Sequence, residues 1–142
     1  MTYCRINLSD TNYSEIHNYS LLTNPDIEQL NLIYQQYCRY KEFSSVMPLF
    51  DSDYYGSNID VLGYYNHQKE LVAFSLIRKH DQLNAEASQF AWDYQQPKLR
   101  LGIRSLENEC ALYKKLGYQY LYLGLIDDYK RQFDGFEILG PI

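Results

Sequence analysis

Residues 59–94 read IDVLGYYNHQKELVAFSLIRKHDQLNAEASQFAWDY, and this stretch decides the fold. Residues 59–65 are rich in β-forming side chains, and residues 66–69 form a polar turn. Residues 70–78 alternate Leu71, Ala73 and Ser75 with Val72, Phe74 and Leu76, the two-residue period of a strand. Residues 80–83 turn again, and 84–94 make a third strand ending in Phe90, Ala91, Trp92, Asp93 and Tyr94. Three strands joined by short polar turns predict an antiparallel meander.

Upstream, residues 2–8 alternate weakly and suit a first strand, and 9–23 are polar and turn-rich. Asn24 and Pro25 read as an N-cap followed by a first-turn proline. Ile27, Leu30, Ile33, Tyr37 and Tyr40 then recur at three- and four-residue steps, predicting an amphipathic helix to about residue 43. Residues 44–57 carry Pro48, Gly56 and several Asp and Ser, and read as a long loop. Downstream, Gly102 marks a tight turn. Residues 105–116 form a helix capped by Ser105, with Leu106, Cys110 and Tyr113 on one face and Lys114 and Lys115 near its end. Gly117 suits the residue just past that helix. Residues 118–124 form an apolar strand, and 129–139 a final strand or extended tail. A meander, a crossover helix and a following strand predict a mixed, mostly antiparallel α/β sheet with helices on both faces.

The chain has 142 residues, 46% apolar and 22% charged, which suits a single domain over residues 1–142. That composition excludes disorder and coiled coil. No apolar run reaches the roughly 20 residues of a membrane span, and no secretory signal opens the chain. With 13 basic and 18 acidic residues the net charge is −5, unlike a general nucleic-acid coat. All seven basic residues after residue 96 fall between Lys98 and Arg131, a distribution that fits either a local basic patch or a solvated helix face and turn. Cys4, Cys38 and Cys110 lack disulfide or zinc spacing. They read as reduced thiols of a cytoplasmic protein, and His17, His67 and His80 as turn residues with no metal-ligand spacing.

The element order resembles that of the GNAT acyltransferase fold. A more specific likeness lies in 90–141. It consists of Trp92-Asp93 closing a strand, Leu101-Gly102, a helix containing Glu107, Leu116-Gly117-Tyr118, Tyr120-Leu121-Tyr122-Leu123-Gly124, Tyr129-Lys130, Phe133, and Glu137-Ile138-Leu139-Gly140-Pro141. In this order the pieces resemble the C-terminal, GNAT-like half of the arginyl- and leucyl-tRNA–protein transferases. The chain departs from that family in two places. No cysteine-rich N-terminal portion corresponds, and Gly124 runs through only 125–128 to Tyr129, where the family carries a longer insert.

The resemblance implies transfer of an aminoacyl group from a tRNA ester to an amine, with a protein or peptide as acceptor. Such a reaction needs positioning, one proton acceptor and a donor for the developing oxyanion. Asp93 is the candidate proton-handling group. Tyr94 and Tyr122 are candidates to hydrogen-bond the carbonyl or stack on the terminal adenosine, beside Trp92. Lys98, Arg100, Arg104, Lys130 and Arg131 are candidates for RNA phosphates. Gly102 and the amides after it are placed to face a phosphate or oxyanion. No metal and no resident cofactor is implied.

Two further readings stand beside this one. Acetyl-CoA–dependent N-acetylation wants small residues before the helix, and Arg104 at such a position would crowd the pyrophosphate. A non-catalytic GNAT-like binding module, with the cleft filled by residues 133–142 or by a second copy, is the third. Exposed strand edges raise the expectation of a homodimer.

Overall fold

A computed structural model of the protein describes residues 2–42, 54, 56–93 and 100–141. Tyr94, Lys98 and most of the 44–57 loop lie outside the described residues. The strands are β1 (Thr2–Asn7), β2 (Tyr19–Leu21), β3 (Ile59–Tyr65), β4 (Leu71–Lys79), β5 (Asn84–Trp92), β6 (Tyr120–Leu125) and β7 (Phe136–Pro141). The α-helices among the described residues are α1 (Ile27–Tyr40) and α2 (Leu101–Lys115). Short 3₁₀ turns occupy Leu8–Asp10 and Asp128–Gln132.

The strands form one sheet in the order β2-β3-β4-β5-β6-β1-β7. Every pairing is antiparallel except β5 with β6. The meander forms as its sequence requires. β4 is buried on both faces, so residues 72–77 are all buried. Phe74 and Leu76 face α1, where Leu30, Ile33 and Tyr34 pack. Ala73 and Ile77 face α2, with Leu106, Cys110 and Tyr113. The two helices therefore cover opposite faces, as the element order predicts.

Several boundaries differ from the sequence reading. The N-cap of α1 is Asp26, whose side chain accepts from Gln29 N–H at 3.3 Å, so Asn24 does not cap and Pro25 precedes the helix. The helix ends at Tyr40. Within the stretch read as irregular, Tyr19–Leu21 pairs with β3 at the sheet edge.

The larger correction concerns α2. It begins at Leu101, so Gly102 lies in its first turn instead of forming a tight turn. Its N-cap is Arg100 in the left-handed region (φ 50°, ψ 43°), with no side-chain cap. Ser105 is not the cap. It lies inside the helix and donates to Gly102 O at 3.3 Å. Burial of Leu101 sets this start, since the side chain is only 2% exposed. The other end follows expectation. Gly117 (φ 97°) follows the cap; its N–H bonds Lys114 O and Tyr118 N–H bonds Tyr113 O, while the Tyr113 and Tyr118 rings meet edge to face at 5.4 Å. The tail is likewise not one continuous strand: a 3₁₀ turn precedes β7.

Candidate functional site: the gap between β5 and β6

β5 and β6 pair over only three positions, Asn84–Tyr120, Ala85–Leu121 and Glu86–Tyr122. Beyond them the strands part, and each carries a bulge at the point of divergence. In β5 the extra residue is Ser88: Leu76 pairs with Gln89 while Ile77 pairs with Ala87. Its hydroxyl donates to Leu76 O at 3.0 Å. In β6 the extra residue is Leu123, between partners of Arg5 and Cys4. A bulge bends its strand and sharpens the local twist. Two of them, facing across the seam, open the sheet.

The opening is a cavity of about 300 Å³. Because the gap runs through the sheet, Tyr37 of α1 and Gly102, Ser105 and Glu109 of α2 all line it. It shares Tyr37, Phe90, Gly102 and Tyr129 with an outer recess that also holds Lys41, Trp92 and Arg100. Gly102 leaves the wall open, since a Cβ there would meet nothing within 4 Å. The first intrahelical bond of α2 runs from Arg104 N–H to Arg100 O, so the amides of 101–103 lie ahead of it, those of Gly102 and Ile103 on residues that line the recess.

Glu109 is the chemically distinctive residue. It is 2% exposed, yet lines the cavity. Tyr64 donates to its Oε2 at 2.6 Å and Ser75 to the same oxygen at 2.8 Å. Asn108 donates to the Tyr64 hydroxyl at 3.3 Å and accepts from Ile16 N–H at 2.9 Å. Burial pushes the Glu109 carboxyl up to about 7, against the two hydroxyls that favour its charged form. Burial and the neighbouring carboxylate hold the Tyr64 phenol well above its ordinary range, so it serves as a fixed donor.

The sequence missed Glu109 as a site residue. The signal was present: it lies three residues after Leu106 and four before Tyr113, inside the apolar stripe of its helix. A carboxylate in that stripe has to be satisfied internally.

The sequence candidates divide among several places. Trp92, Arg100 and Gly102 share the outer recess, and Lys130 lines the inner cavity. Lys130 is engaged in the fold itself: its Nζ donates to Leu123 O at 3.0 Å and Leu125 O at 2.8 Å and pairs with Asp127 at 3.1 Å. Arg131 is exposed on the 3₁₀ turn. Asp93 follows β5 directly, and its N–H donates to Val72 O at 2.7 Å. Tyr122 lies one residue from Leu123 on β6 and faces the opposite side, where its hydroxyl accepts from Arg5 Nη1 at 3.2 Å. Arg104 lines a separate cavity on the other flank of α2.

The cleft stays clear of the chain's own tail, because β7 pairs with β1 at the far edge of the sheet. All three cysteines are free and buried, and burial pushes the Cys4 and Cys110 thiols up. Among the described residues no group of three His, Cys, Asp or Glu is placed to hold a metal, and no helix is long and apolar enough to cross a membrane.

No family model matches the sequence, and no curated protein matches it. Solved structures do match. The C-terminal domain of a chain assigned as lysylphosphatidylglycerol synthetase from Agrobacterium fabrum superposes with TM-score 0.65 at 12% identity, covering 87% of this chain and 46% of that one. The ribosomal-protein-S18-alanine N-acetyltransferase from Escherichia coli gives 0.61 at 19% identity, over 78% and 67%. A GCN5-related N-acetyltransferase from Kribbella flavida gives 0.58 at 13%, over 96% and 53%. The chain thus spans about half of the Agrobacterium and Kribbella chains. The architecture is the GNAT acyltransferase fold: a mixed, mostly antiparallel sheet with helices on both faces.

Proposed function

We propose that the protein transfers an acyl group from an activated donor to an amine, with the donor carbonyl in the gap between β5 and β6. The observation that carries this reading is Glu109, a buried carboxyl held near neutrality on the wall of that gap. An amine attacking an ester or thioester must shed a proton, and a base poised near pH 7 accepts it with good driving force. The amides of 101–103, with Arg100 and Lys41 beside them, suit the phosphates of the donor.

The donor we favour is an aminoacyl-tRNA, on the resemblance of residues 90–141 to the tRNA–protein transferases, with a protein or peptide amine as acceptor. One observation supports acetyl-CoA as a second reading: Arg104 turns away from the recess, so its side chain does not crowd a pyrophosphate approaching Gly102.

The test is a donor competition with the purified chain, reading binding and transfer from charged tRNA, uncharged tRNA and acetyl-CoA. Preference for charged over uncharged tRNA supports the first donor, and acetyl-CoA binding alone supports the second. Glu109→Gln is expected to keep donor binding and lose transfer. Binding of neither donor by the wild type would sink the acyl-transfer reading.

A further inference from the structure

A second cavity, of about 460 Å³, lies on the flank of α2 away from the gap and shares no lining residue with it. Arg104 is two residues past Gly102, roughly 200° around the helix, which accounts for the separation. Three elements meet here, and each brings one basic side chain: His17 from the loop before β2, His67 from the β3–β4 turn, and Arg104 from α2. Among the described residues none pairs with any of these three side chains. The third histidine, His80, is by contrast paired with Glu86 at 2.9 Å elsewhere.

The one acid among the lining residues is already occupied. Glu15 lines the cavity, but Lys115 holds it at 2.6 Å and Tyr19 donates to it, which together keep its carboxyl below the usual range. Glu70, next to the turn, accepts from Asn66 Nδ2 at 3.1 Å. Among the described residues no carboxylate is assigned to the one fixed positive charge and two imidazoles of this cavity, on a chain of net charge −5.

The frame is also built in advance. Asn18 Nδ2 donates to Tyr65 O at 2.7 Å, and Tyr65 N–H returns a bond to Asn18 O at 2.9 Å. Asn66 Oδ1 accepts from the N–H groups of Gln68 and Glu70, at 3.0 and 2.9 Å. Ile16 N–H is held by Asn108 of α2. The segments bearing His17, His67 and Arg104 are thus locked to one another. One guanidinium and two imidazoles, carried on segments held to one another, present N–H donors around the cavity to a planar or tetrahedral oxyanion.

We infer that this cavity is an oxyanion-binding site that takes a phosphate or carboxylate group, separate from the acyl-donor gap. The inference does not depend on the acyl-transfer reading, because its readout is binding.

Residue-resolved NMR of the full chain, titrated with inorganic phosphate and separately with acetate at constant ionic strength, tests it. Saturable shifts are expected at residues 14–18, 65–67 and 104. Arg104→Gln should weaken binding about tenfold or more, the scale of a charge-assisted hydrogen bond. Arg100→Gln, in the outer recess, should leave these shifts unchanged. Saturation by phosphate alone assigns a phosphoryl ligand, and an equal response to acetate assigns a carboxylate. If Arg104→Gln alters the fold, the double variant His17→Gln, His67→Gln takes its place with the same expectation. Shifts confined to the recess, no saturation, or unweakened binding in the folded variants would overturn the proposal.

Discussion

The Tyr64 hydroxyl donates to Glu109 Oε2 at 2.6 Å, joining β3 to α2 through a carboxyl that burial holds at about 7. That bond favours the ionised carboxylate, and burial opposes it and dominates. Removing the phenol therefore raises the carboxyl further. In Tyr64→Phe the ascending limb of the pH–rate profile should move from near neutrality to higher pH. Glu109→Gln should lose the limb altogether and about 10²-fold or more in rate, the range of a proton-transfer group. A Tyr64→Phe limb moving to lower pH would contradict this assignment.

The same carboxyl makes stability fall with rising pH. Its folded value lies above its ordinary 4.5. The folded state thus holds the proton more tightly than the unfolded chain, and the advantage is lost as pH climbs through about 7. At about 1.4 kcal/mol per unit, the window from the ordinary to the raised value is worth on the order of 3 kcal/mol. Denaturant melts of wild type and Glu109→Gln across that window should show a steeper decline in the wild type.

Gly102 and Gly135 should respond in opposite ways to alanine. Gly102 has open space for a Cβ and lies in a helix, so Gly102→Ala should hold or raise stability by about 0.5 kcal/mol. Gly102→Phe should keep the fold and block donor binding. Gly135 has φ 75°, and a Cβ there would collide with the carbonyl oxygen of Asn7. Gly135→Ala should cost about 1–3 kcal/mol, the scale of a strained backbone position. Thermal melts and donor titrations separate the two effects.

Lys130 and Arg100 distinguish a structural cation from a binding one. Lys130→Met leaves Leu123 O and Leu125 O without their ammonium partner, and should lower stability by about 1–3 kcal/mol. Arg100→Ala should leave stability nearly unchanged and reduce the salt dependence of donor binding. Equal salt slopes in wild type and Arg100→Ala would remove Arg100 from the donor site.

Asp93→Asn is informative beside Glu109→Gln. Loss of transfer with the pH limb retained would give Asp93 a role in holding the amine. Wild-type rates in Asp93→Asn would leave Glu109 as the sole acid needed.

The parts of the fold legible in the sequence are those that local chemistry dictates. Ile59–Tyr65 is a strand at the bounds its composition predicts, and Gly117 ends its helix because a left-handed residue is needed there. The start of α2 was not legible, because a buried Leu101 sets it, and that burial is a property of the assembled core. Tyr19–Leu21 is too short to show a period. Arg104 and Gly102 lie on different flanks of α2, and Tyr122 and Leu123 on different faces of β6, because two steps along a helix and one along a strand each reverse the face. Glu109 was visible as a charge inside an apolar stripe, but its proximity to Tyr64 and Ser75 exists only once β3, β4 and α2 have packed.

β1 lies between β6 and β7, and its Arg5 bonds Tyr122, 117 residues further along the chain. On the ribosome this strand is made before both of its partners and waits, unpaired on both edges, until β6 and β7 have followed. The meander can form meanwhile from neighbours in sequence. The half-sheet that carries the other wall of the gap cannot. A nascent chain stalled before residue 120 would hold the meander and no cleft. The exposed segment Thr2–Asn7 would then be the part most in need of a chaperone's cover.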